Sequence, residues 1–81
     1  MYLHIGSGLV LNDNDIIAIF NIDYIKNTKE YKNFYQKLLD EKNIINISCG
    51  KEKSLILIKK NDKIQAYISN IGSNTIGKRK F

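Results

Sequence analysis

The chain has no proline, no tryptophan, one cysteine, one histidine and one arginine. Each shortage closes a route. Cys49 stands alone, so no disulfide can form within the chain. Cys49 and His4 together fall short of the ligand set of a zinc site. No apolar run approaches the roughly 18 residues that would cross a bilayer. No cationic start leads into an apolar stretch, so no signal peptide is expected. The lone cysteine and the absent leader fit a reducing cytoplasm, and a cytoplasmic protein without membrane contact is the expectation. No linker, repeat or low-complexity tract interrupts the sequence.

What remains is a short, basic, strand-rich chain. Its 81 residues are read as one domain, 1–81. A chain of this length buries only about 60% of its unfolded surface, so its stability margin is thin. Small domains recover that margin with disulfides, a metal or oligomerisation. Of these, oligomerisation is the one left open. The net charge is +5, and it is unevenly spread. Residues 1–25 carry Asp13, Asp15 and Asp23 with no lysine or arginine, a net −3. Residues 51–81 carry eight basic residues against Glu52 and Asp62, a net +6. Such asymmetry is the usual footprint of a surface that faces an anion.

The periodicities are clear. "YLHI" (2–5) alternates and predicts a strand closed by a turn at "GSG" (6–8), and "LVL" starts a second extended segment. "NDND" (12–15) is turn-forming. "IIAIFNI" (16–22) is β-branched and apolar, which predicts a strand. In "NTKEYKNFYQKLLDEKN" (27–43), Tyr31, Phe34, Tyr35, Leu38 and Leu39 make one apolar helical stripe. Thr28 can cap that helix, and Glu30 suits the positive end of its dipole. "IINI" (44–47), "SLILIKK" (54–60) and "KIQAYIS" (63–69) predict three more strands, with a loop at 48–53. Asn61 and Asp62 form a two-residue hairpin, because both tolerate positive φ. Ser73, Asn74 and Thr75 can open a short basic C-terminal helix. The expected fold is α+β: a mostly antiparallel four- to five-stranded sheet with one long and one short helix.

Residues 16–20 and 55–58 are apolar at every position, so these strands need cover on both faces. One long helix covers one face. The expectation is that another copy of the chain covers the other, since soluble monomers avoid large exposed apolar faces.

No catalytic constellation emerges. His4 alternates with Leu3 and Ile5 and reads as an outward strand residue. Cys49 beside Gly50 reads as a small residue in a small site. Asp13 and Asp15 read as turn formers. "GSG" is too short to cradle a phosphate and precedes no helix. A non-enzymatic protein without cofactor, metal or small-molecule substrate is therefore expected. The basic residues carry more. Lys51 and Lys53 share one loop, and Lys78, Arg79 and Lys80 share the last turn of the tail. A repeating assembly would present these groups many times, and phosphate contacts add along a duplex. These five residues are the candidate DNA contacts, and double-stranded DNA is the candidate partner.

The opening "MYLHIGSGLVLNDNDIIAIFNID", the "KSLILI" that follows a glycine-containing loop, and the closing "SNTIGKRK" resemble the RemA and RemB family of bacterial extracellular matrix regulators. The length and the "MYLHIG" opening are more similar to RemB. The resemblance implies a small cytoplasmic DNA-binding regulator of Firmicutes, with a fold like that of LytTR-type DNA-binding domains. It implies rings of subunits that present basic residues to DNA, and it implies control of biofilm matrix genes. The family's basic loop falls on Lys51, Glu52, Lys53 and Ser54. Two lysines stand where the family has arginines, and Glu52 stands between them. Another family arginine falls on Asn14 or Asp15. Thr75 and Arg79 fit the family pattern. The alternative expectation is an accessory or protein-interaction subunit, co-assembling with a related paralogue, that keeps the scaffold and binds DNA weakly or not at all.

Overall fold

A computed structural model describes residues 2–80, with side chains described through Lys78. The elements run β1 (Tyr2–Gly6), β2 (Leu9–Asn12), a 3-10 turn (Asp13–Asp15), β3 (Ile16–Asn21), α1 (Ile22–Ile25), α2 (Lys29–Asp40), β4 (Ile44–Asn46), β5 (Ser54–Lys60), β6 (Lys63–Ser69) and α3 (Ser73–Lys80). The fold is α+β. Six strands form two sheets: the β1–β2 hairpin, and a four-stranded sheet in the order β3-β5-β6-β4. Within the larger sheet β3, β5 and β6 are antiparallel, and β4 joins β6 in parallel.

Local chemistry accounts for the elements. Thr28 caps α2, its hydroxyl oxygen accepting from the Tyr31 amide at 3.1 Å. Asn21 ends β3 and caps α1 by accepting from the Asp23 amide at 2.9 Å. That cap stops the strand one residue earlier than its β-branched pattern suggests. Asn61 and Asp62 have φ of 53° and 64°, so the β5–β6 hairpin closes through the expected two-residue turn.

The sheet is covered on both sides, and one chain does this alone. On one face, Leu55, Ala66 and Ile68 pack with Ile22 of α1 and Leu38 of α2. On the other, Ile56 and Ile58 pack with Leu3 and Ile5 of β1, Leu11 of β2 and Ile76 of α3. The expectation that a second copy must cover this face is thereby overturned. The β1–β2 hairpin folds across the sheet instead of joining its edge, and α3 fills the space beside it. Leu39 also departs from expectation. It is 49% exposed and lies outside the core, because a helical turn of 3.6 residues carries it past the rim of the stripe.

The hairpin is held down by polar contacts as well as apolar ones. Ser69 Oγ donates to the Ile5 carbonyl and accepts from the Ile71 amide at 3.0 Å. Ser54 Oγ donates to the Ile71 carbonyl at 2.8 Å, and Ser7 Oγ to the Ile47 carbonyl at 3.0 Å. Gly6 lies so close to the β6–α3 connection that a Cβ there would stand 3.0 Å from Asn70 Oδ1. Its φ of 116° is glycine territory besides.

Ile56 is fully buried at the centre of the hairpin-side core. Ile56→Ala is expected to cost about 2–5 kcal/mol, a large fraction of a small domain's stability. Leu39→Ala is expected to change stability by less than about 0.5 kcal/mol beyond its helix propensity. Urea unfolding of the two variants checks the contrast. Similar destabilisation at both positions would mean that Leu39 is not on the surface.

Candidate nucleic-acid interface

The loop between β4 and β5 is built from the backbone outward. Cys49 and Gly50 have φ of 54° and 87°, and the Lys51 amide donates back to the Ser48 carbonyl at 3.1 Å. This is a tight turn with two left-handed residues, and Gly50 makes the second one possible. Cys49, expected as a small residue in a small site, is exposed and occupies this turn. Lys53 is fixed at the other end of the loop. Its amide donates to the Ser69 carbonyl at 2.9 Å, and its carbonyl accepts from the Ile22 amide at 3.1 Å. Lys51 and Lys53 thus project from anchored backbone, and both are exposed.

Asn46 organises the interior of the loop. Its Oδ1 accepts from the Ser48 amide at 3.0 Å and from Ser48 Oγ at 2.6 Å. Its Nδ2 donates to Glu52 Oε2 at 3.0 Å. Glu52 is therefore held to the base of the loop, on the side of α2. Burial, then the Glu52 carboxylate, then Tyr35 push the Tyr31 hydroxyl above the usual tyrosine pKa. The Tyr31 and Tyr35 rings lie 5.9 Å apart and tilted. The glutamate between the two lysines thus faces α2 and Asn46, not only solvent. Charge and periodicity do not single out Asn46. Its signal is the spacing Asn-x-Ser at 46–48, an Asx pattern that turns a chain after a strand.

The remaining candidates lie elsewhere. Lys78 is exposed on α3, which packs over β1 and β3 on the hairpin side of the sheet. It borders a hollow with Ser73, Asn74 and Gly77. The side chains of Arg79 and Lys80 lie outside the described residues. Lys51 and Lys53 share the loop between β4 and β5, and Lys78 lies on a different element, α3. Asp15 sits in the 3-10 turn, next to Ile16, which pairs with Ile58. The loop enters β5 at the opposite end, so Asp15 stands roughly 17 Å from Lys53 along the strand. That is about two Debye lengths at physiological salt. His4 lies on β1 opposite Val10, with an exposed side chain.

Together these features define an α+β scaffold that displays an anchored basic loop at one end of its sheet. A family model described as RemA-like, extracellular matrix regulatory protein A-like, matches residues 2–79. The chain belongs to the RemA-like family. A comparison with curated proteins gives no match. Among the described residues, no helix is long and apolar enough to cross a membrane.

Asn46→Ala should leave the buried Ser48 amide and hydroxyl without their acceptor, at a cost of about 1–3 kcal/mol. Asn46→Asp keeps that acceptor and repels Glu52. It should retain most of the stability while loosening the loop. Thermal unfolding with amide exchange of residues 49–53 separates the two effects. Equal destabilisation in both variants would remove Asn46 from its role as acceptor.

Proposed function

We propose that this protein is a non-enzymatic, cytoplasmic DNA-binding regulator of matrix genes, acting as a homo-oligomeric ring with the duplex lying along basic loops of successive copies. The observation that supports it best is the state of the 48–53 loop. Lys51 and Lys53 are exposed on hydrogen-bonded backbone, while the one acidic residue between them is tied to Asn46. A duplex neutralised by such loops gains affinity by releasing counterions, without reading sequence. Lys78, Arg79 and Lys80 would supply a second set of phosphate contacts. Two lysines per loop make weak contacts singly, so the reading depends on repetition. Membership of a matrix-regulator family supplies the genetic setting.

The test is fluorescence anisotropy with a labelled duplex of several helical turns, titrated across salt, with size read by light scattering in the same buffers. The expected result is an oligomer that binds tightly at low salt and releases steeply as salt rises. Lys51→Ala with Lys53→Ala should weaken binding for every sequence alike. It should also flatten the salt slope, by up to roughly 0.9 for each phosphate that is no longer neutralised. Unchanged affinity and slope in the double variant would sink the loop assignment. An oligomer that binds no DNA at low salt would point to the accessory-subunit role instead.

A further inference from the structure

The helix-side face of the larger sheet is covered unevenly. α1 and α2 close over Leu55, Ala66 and Ile68, while Leu57 is only partly buried. Phe20 lies opposite Leu55 in the β3–β5 ladder, so the two side chains share that face, yet Phe20 is 39% exposed. Above this part of the sheet is a hollow of about 420 Å³. Phe20, Leu55 and Leu57 line it from the strands, Ile25 from α1, and Tyr31 and Phe34 from α2. Besides the Tyr31 hydroxyl, the polar side chains on its wall are those of Thr28 and Glu30. Small-molecule sites have this volume and this character: apolar and aromatic walls with a few placed polar groups.

The polar groups select the charge of the occupant. The Thr28 hydroxyl is already committed: it donates to the Ile25 carbonyl at 2.7 Å and accepts from the Tyr31 amide at 3.1 Å. Glu30 is exposed, and among the described residues its carboxylate has neither a hydrogen bond nor an ion pair. Lys26, one turn earlier in the chain, is drawn to Asp23 at 3.4 Å. No lysine or arginine lines the hollow among the described residues. The site therefore offers one unneutralised negative charge, three aromatic rings and no positive charge. An anion would meet a carboxylate and no free donor. A metal ion would find a single carboxylate, short of the oxygen ligands that a hard cation takes. A cation with an apolar body uses both kinds of wall, since aromatic faces attract ammonium groups, quaternary ones included.

We infer that this hollow binds a small organic cation, an alkylated ammonium group carried on an apolar body. The body lies against Leu55 and Leu57, the ammonium group lies among Phe20, Tyr31 and Phe34, and Glu30 is its counter-ion. The site uses none of the lysines assigned to DNA, so it goes beyond the function proposed above and does not rest on it.

The test is a low-salt titration of the isotope-labelled full chain with benzyltrimethylammonium, followed by amide chemical shifts. Benzyl alcohol serves as the neutral probe and phenylacetate as the anionic one. The cation should give saturable shifts at residues 20, 25–34 and 55–57. Benzyl alcohol should bind more weakly at the same residues, and phenylacetate should not bind there. Glu30→Gln removes the counter-ion from an exposed position, so the fold should be unchanged. It should weaken the cation about two- to five-fold and leave benzyl alcohol where it was. Phe20→Leu keeps apolar bulk and loses a ring, and should weaken the cation by roughly two- to thirty-fold. Glu41→Gln removes a carboxylate from the hollow on the other side of Phe34 and should change neither probe. Should Phe20→Leu misfold, the contrast between Glu30→Gln and Glu41→Gln decides alone. Equal affinity for the cation and benzyl alcohol would overturn the inference, as would a Glu30→Gln variant that binds the cation like the wild type. Absence of saturable shifts at these residues would do the same. If dilution of the ligand-free protein moves the same amides, a second copy fills the hollow and the inference falls.

Discussion

The fold depends on the demand of β5 for cover on both faces. Leu55 and Leu57 point to one side and Ile56 and Ile58 to the other, and of these only Leu57 is less than fully buried. A two-layer fold cannot satisfy such a strand. The chain solves this by committing residues 2–12 to a hairpin that lies over the sheet and is not part of it. α1 and α2 cover the other side. Three layers from so short a chain leave each layer thin, and the two cores are correspondingly small. Apolar contact alone therefore holds the hairpin through few residues. The hydroxyls of Ser7, Ser54 and Ser69 supply directional bonds where the hairpin tip, the end of β6 and the approach to α3 meet. Ser54 and Ser69 are themselves fully buried. A buried hydroxyl without a partner would be costly, and these have carbonyl acceptors.

Much of this is legible in sequence, because it follows from local periodicity. The alternation of Leu3, His4 and Ile5 gives a strand with His4 outward, and the stripe from Tyr31 to Leu38 gives the helix. The Asn61–Asp62 turn follows from which residues tolerate positive φ. What is not legible depends on tertiary placement. Nothing in "YLHIGSGLVL" says whether its hairpin extends a sheet or crosses one. That choice decides whether the second face of β5 needs another chain. The parallel pairing of β4 with β6 is hidden for the same reason, since three residues carry no signature of direction. α1 is invisible because Ile22, Asp23, Tyr24 and Ile25 are too few to show a helical period, and the apolar run before it masks the Asn21 cap.

The site divides in the same way. The exposure of Lys51 and Lys53 in a loop follows from charge and from Gly50. The role of Asn46 does not, because it lies in contacts between an amide, a serine two residues on and a glutamate six residues on. Those contacts change what Glu52 means. Read along the chain, a glutamate between two lysines halves the local positive charge. In space its carboxylate accepts from Asn46 on the side of Tyr31, while the lysines on either side of it are exposed. Asp15 changes in the same sense, since the length of β5 stands between it and the loop.

A similar distinction applies to the apolar residues that stay outside the core. Ile17, Phe20, Leu39 and Ile45 read from sequence as core candidates, because β-branched and aromatic residues in strands and stripes usually are. Ile17 and Phe20 fall instead on β3 and Ile45 on β4, the two edge strands of the larger sheet, and Leu39 falls on the outside of α2. Scattered singly they would call for no explanation. With the hairpin and α3 over one face and α1 and α2 over the other, what the larger sheet leaves open is its two edges. A face contact of the kind expected from strand burial alone would have buried the hairpin and α3, and with it Lys78.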